Sequence, residues 1–319
     1  MKKQFALAAI FLGLFAAGAS AAGYHVVKKV VLGGPEKWDY VLVDEAARRV
    51  YVTHMDQVNV LDADSGAEVG KIADLKGCHG VALVPKAGRG FITNGLSNSV
   101  TMFDLKTLQK LGEIPVGDKP DAIVYDAASG RVFAMNGEGD SATAIDPATG
   151  KAVGTFPLGK GPEFAVPDGA GNFFVNLEDE AKTLRVDSKT MKVTEAWPLA
   201  PCATPTGIAM DIAHARLFVG CRSKVLAVVN AETGKLVTTL PIGPHVDAAF
   251  FDAATAMVYL STGDGAVSIY HEDTPDKYTL AETVKTLPGG RTMALDSKTL
   301  RIYVPAMDEG KFTVLILEP

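Results

Sequence analysis

"RRVYVTHM" (residues 48–55) is the stretch whose reading decides the fold, because variants of it return as "RGFITNGL" (89–96), "RVFAMNGE" (131–138) and "RLFVGCRS" (216–223). A β-branched, apolar run bounded by turn residues is a strand. The central aromatic sets a beat: Tyr51, Phe91, Phe133, Phe174, Phe218, Tyr259 and Tyr303 stand 40, 42, 41, 44, 41 and 44 residues apart. Six steps of about 42 residues between seven markers indicate a repeat architecture.

A second marker keeps the same interval. Asp62, Asp104, Asp146, Asp187 and Asn230 open short turns, "DADSG", "DLKTL", "DPATG", "DSKTM" and "NAETG". Asp or Asn followed by small residues reverses the chain between antiparallel strands. In the sixth copy the turn reads "HEDTP". The first unit therefore predicts four strands, at 41–43, 50–53, 57–62 and 68–73, and no window beyond the N-terminus has the periodicity of an amphipathic helix.

Four short strands per unit and seven units specify an all-β fold, a seven-bladed β-propeller of four-stranded antiparallel blades. The seventh unit supplies only three strands, "TMALD", "RIYVPA" and "KFTVLILEP", while "YHVVKKVVLGG" (24–34) stands alone before the first. Pairing that N-terminal strand into the last blade closes the ring and removes an exposed sheet edge. Residues 22–319 are accordingly expected to form one propeller domain.

The first residues read differently. Lys2 and Lys3, an apolar segment and "ASAAG" (19–23) have the layout of a secretory signal peptide, residues 1–21, cut after Ala21. A periplasmic or secreted protein with no membrane span after cleavage is the expectation, since no later run approaches the roughly 20 apolar residues a crossing needs. Loss of both lysines takes the formal charge from -6 to about -8. With no basic stripe to neutralise phosphates, nucleic acid is not an expected partner.

"YVT" (51–53) and "FITN" (91–94) resemble the motif of the YVTN-repeat (YncE-like) propellers, and the likeness extends over all seven repeats. It implies the fold; it carries little about chemistry, because such propellers host many roles.

The repeat places the candidate site. In such a ring the innermost strand starts at one end of the central channel, here termed upper, and the loop between the second and third strands returns to it. Twelve positions before each aromatic stand Asp39, His79, Asp121, Pro162, Thr206, Asp247 and Arg291, with Glu163 next to the proline and Trp38, Cys78, Lys119 and His245 alongside others. Convergent polar groups above an apolar wall are the usual form of a ligand site, so Asp39, His79, Asp121, Glu163, Thr206, His245, Asp247 and Arg291 are the expected lining of the channel mouth. The alternative is a mouth that is polar only because it is wet.

Three positions after the aromatic come His54, Asn94, Asn136, Cys221, Thr262 and Ala306, among which Asn, Thr and Cys are short polar side chains of the kind that bond local backbone. Cys202 and Cys221 both fall at the upper end of the fifth unit, and a disulfide between them is expected. Cys78 beside His79, with His54 on the neighbouring unit, forms a possible soft or borderline metal set suited to zinc or copper. No cofactor is otherwise evident. His214 and His271 fall at lower turns and read as solvated.

G-x-S-x-G, H-E-x-x-H, P-loop and C-x-x-C-H signatures are all missing, and "GDGAVS" (263–268) is a turn within a blade. The first functional expectation is a non-catalytic scaffold binding a small ligand or a periplasmic protein through its upper face. A second is a hydrolase or lactonase using His79, Glu163, Asp247 and Arg291 as base, acid and anion clamp. A third is a partner protein in periplasmic metal or redox chemistry.

Overall fold

The computed structural model describes residues 23–34 and 37–319, so the expected signal peptide, residues 1–21, lies outside the described residues. Seven four-stranded antiparallel sheets follow one another around a ring. The first unit shows how sequence maps to strand: Val41–Asp44 is innermost, followed outward by Arg49–His54, Gln57–Asp62 and Glu68–Ile72. Each lies within about two residues of its expected bounds, the usual slack at element ends.

Ring closure follows the expected route. His25–Val31 pairs antiparallel with Lys311–Glu318, with His25 opposite Glu318 and Val31 opposite Thr313. It becomes the outer strand of the seventh blade, whose two inner strands are Arg301–Asp308 and Ala294–Asp296.

All seven marker aromatics are buried. The core is divided among the blade interfaces, as in the layer of Val84, Phe91 and Ile114 from the second blade against Val132, Ala134 and Ile145 from the third. A layer of Tyr303, Phe312 and Val314 against Val50, Val52 and Leu61 repeats this between the seventh and first. Because each sheet buries both faces against neighbours, its middle strands read as nearly unbroken apolar runs.

Arginine at the start of the second strand ties blade to blade. Arg49 donates to the Leu105 carbonyl, Arg89 to Pro147, Arg131 to Lys189, Arg216 to Pro275 and Arg301 to Asp64, each on the next blade. The turn residues do what their chemistry implies: the Asp104 carboxylate accepts from the Lys106 and Thr107 amides, and Asn230 Oδ1 from those of Glu232 and Thr233.

Candidate functional site

A break in the innermost ladder delivers side chains to the upper mouth. In blades two to six the pairing slips at the strand start, between Cys78 and Val81, Pro120 and Ile123, Pro162 and Ala165, Pro205 and Ile208, and Val246 and Ala248. Such a slip re-aims a side chain and leaves a carbonyl outside the ladder. Side chains two positions after the marker aromatic take up those carbonyls: Thr93 Oγ1 donates to Asp121 O at 2.5 Å, Asn176 Nδ2 to Thr206 O at 2.8 Å and Ser261 Oγ to Arg291 O at 2.6 Å. Asp121, Thr206 and Arg291 are thus held by the preceding blade.

Five carboxyl groups gather there. His79 Nδ1 lies 2.6 Å from Asp39 Oδ2 and 3.7 Å from Asp121 Oδ1. On the far side Asp247 holds Arg291 Nε at 2.5 Å and Arg222 Nη2 at 3.0 Å, and Arg222 reaches Glu178 at 2.5 Å. Between these groups, Tyr40 of the first blade donates to Glu163 of the fourth at 3.2 Å. These two can span the ring because the equivalent positions of other blades are small: Gly80, Ala122, Gly207 and Ala248.

Charge is not balanced in this mouth. Asp39, Asp121, Glu163, Glu178 and Asp247 face the cationic groups His79, Arg222 and Arg291, the arginines being committed to Asp247 and Glu178, while Lys37 and Lys119 line the cavity above and Lys119 is paired with Glu138. Burial, then the Asp39 charge, push the Asp121 carboxyl up to about 6. Burial, then the Asp121 charge, hold Glu163 well above the usual carboxylate range. Burial raises Asp247 despite Arg222 and Arg291. For His79 burial disfavours the cation, but Asp39 and Asp121 outweigh it and its pKa is raised. Burial first, and neighbouring like charge second, make the carboxyls retain protons, whereas for His79 the opposite charges do so.

Two spaces adjoin these groups. Above the mouth a cavity of about 450 Å³ is walled by Trp38, Met55 and Leu96 on one hand and by Asp39, His79 and Arg291 on the other. Within the channel an apolar cavity of about 300 Å³ is lined by Val41, Ile123, Phe164, Ile208 and Phe250.

The other sequence candidates take structural places. Thr206 is buried and donates to the Val246 carbonyl at 2.6 Å. His245 is exposed, at φ 55°, and its ring makes no hydrogen bond or ion pair among the described residues. Cys202 and Cys221 are joined as a disulfide, while Cys78 is a buried free thiol.

The set of His54, Cys78 and His79 needs correction. Neighbours on a strand point to opposite faces, so His79 turns to the channel while Cys78 turns to the blade interface, its Sγ 3.1 Å from the Gln57 carbonyl. Burial pushes that thiol up to about 12, away from the thiolate a metal needs. His54 is fully buried and stacks on Phe312 of the seventh blade with ring centroids 3.9 Å apart. The donors that do gather around His79 are Asp39 and Asp121, within 4.8 Å of one another. Of the expected base, acid and clamp set, Arg291 is bound to Asp247.

Arg222, Glu178 and Tyr40 were not expected at the mouth. Glu178 and Arg222 stand four positions after their marker aromatics, where other blades carry Gly95, Gly137, Gly263, Met55 and Met307. That departure from small or apolar residues was the available signal.

No protein-family model matches the chain, and no curated protein matches it in sequence. Solved structures do match in shape. A chain of hydrazine synthase from Kuenenia stuttgartiensis superposes with TM-score 0.76 at 16% identity, covering 88% of this chain and 95% of that one. A chain of the mitotic checkpoint complex gives 0.80 at 14%, covering 100% and 99%, and the WD40 repeats of RRP9 give 0.79 at 9%, covering 93% and 99%. At such identities the likeness is one of fold: a seven-bladed propeller with WD40 neighbours.

Proposed function

We propose that this chain is an exported, periplasmic propeller of the YVTN-repeat (YncE-like) kind, acting as a non-catalytic binding scaffold that receives a positively charged group at its upper mouth. The observation that carries this reading is the surplus of carboxyl groups over cations among Asp39, Asp121, Glu163, Glu178 and Asp247. An ammonium or guanidinium group placed beside Asp121 would release the retained protons and satisfy the Oδ1 that no donor reaches among the described residues. Trp38, Met55 and Leu96 supply an apolar wall for the rest of the ligand. The occurrence of similar propellers in the mitotic checkpoint complex supports a protein partner presenting Lys or Arg as readily as a small amine.

A primary alkylamine and a carboxylic acid of equal chain length, compared by thermal shift and calorimetry, test this proposal. The amine is expected to raise Tm and bind, and Asp121→Asn to weaken it at least tenfold. Binding of the acid alone, or amine binding untouched by Asp121→Asn, would contradict it.

A further inference from the structure

The lower end of the ring carries a second cluster that the mouth does not explain. Where an innermost strand ends in Asp, the residue three positions later is Ala47 in the first blade and Ser129, Thr255 or Thr299 in the third, sixth and seventh, and it donates to Asp44, Asp126, Asp252 or Asp296. In the fifth blade that residue is His214, whose Nδ1 lies 2.5 Å from Asp211 Oδ2. Facing it from the sixth blade is Glu272. Its amide donates to the Ala256 carbonyl, as those of Ala63, Leu105, Ser188 and Ala231 donate to Arg48, Gly88, Gly171 and Ala215. Those sister residues are uncharged, so blades five and six each depart from the repeat at the point where they meet.

We infer that Asp211, His214 and Glu272 form a binding site for a divalent cation of the zinc type. One donor atom from each lies within 4.8 Å of the other two. An imidazole with two carboxylates suits a borderline ion and leaves a coordination position open.

Glu272 is the independent sign of a missing ligand. It is 6% exposed, and the nearest donor, Tyr278 Oη at 3.4 Å, has a single hydrogen already directed at the Pro275 carbonyl at 2.8 Å. A buried carboxyl left with one long hydrogen bond from a hydroxyl it shares with a carbonyl is under-satisfied, and a cation beside it removes that cost. The place is also built: both outer strands of the sixth blade, Ala266–Thr274 and Lys277–Lys285, run nine residues against six in the second blade. The added length walls a cavity of about 330 Å³ that opens on the three side chains. His214 is half exposed at its rim, which gives an ion its entry.

The sister blades supply variants that should fold. His214→Thr and Glu272→Ala restore the repeat, and Glu272→Gln keeps the shape. Zinc is titrated calorimetrically into the untagged protein, into these variants and into His79→Ala, with circular dichroism to check the fold. The unsubstituted protein and His79→Ala are expected to bind zinc at this site, and each lower-face variant to lose one equivalent or weaken it at least tenfold. No saturable zinc binding by the unsubstituted protein, lower-face variants that bind as it does, or loss of all zinc on His79→Ala would each overturn the assignment.

Discussion

The innermost strand of the third blade, Pro120–Asp126, carries an aspartate near each end, and the two are treated in opposite ways. At the lower end Asp126 is fully buried; burial pushes its pKa up, but the Ser129 and Ser188 hydroxyls and the Ser129 and Ala128 amides outweigh that and hold it below the ordinary value. At the upper end Asp121 has His79 at 3.7 Å and no donor on Oδ1 among the described residues, and it is pushed up to about 6. One aspartate completes a turn, whereas the other is left unsatisfied by the fold. That difference separates architecture from site better than residue type does.

Substitutions can break the contrast. The largest effect is expected for Asp247→Ala, which leaves Arg222 and Arg291 facing each other without their shared carboxylate; a loss of about 3 kcal/mol in urea unfolding is the expected outcome. Asp126→Ala should cost about 2 kcal/mol, because charge-assisted bonds to backbone amides are lost and the donors stay buried.

Asp121→Asn is expected to act in the opposite direction, stabilising the protein at pH 7 by about 1 kcal/mol, less than the full linkage value because His79 loses a partner. The sign follows from the raised pKa. A carboxyl of this kind contributes stability that is complete below its unfolded value, roughly 3.9, and lost as pH rises through about 6. Wild-type Tm should therefore climb as pH falls from 7 toward 5 and decline at lower pH, where Asp126 and its like take up protons; Asp121→Asn should flatten the climb. Smallest of all, Glu163→Gln should change stability by under about 0.5 kcal/mol at pH 7, since burial and the Asp121 charge favour the uncharged form of Glu163 and Gln keeps an acceptor for Tyr40.

The fold was legible because a repeat writes it seven times: Tyr51 and its six counterparts locate the second strands, and Asp62 and its counterparts the outer turns. Asp39, His79, Asp121, Asp247 and Arg291 were legible at the mouth for the same reason, being a fixed distance from those aromatics. Partner choice was not. Tyr40 meets Glu163 across the ring, and Arg222 joins Glu178 to Asp247 over three successive blades, contacts that depend on the channel's width and not on spacing. His54 does not join Cys78 and His79 because its position in the repeat faces the preceding blade, where Phe312 covers it.

Carbon-13 detection of the carboxyl groups during a pH titration tests the central contrast most directly. Asp121 is expected to titrate near 6 and Asp126 below the ordinary aspartate value of roughly 3.9. Asp121 titrating together with Asp126 near that ordinary value would contradict the account of an unsatisfied mouth.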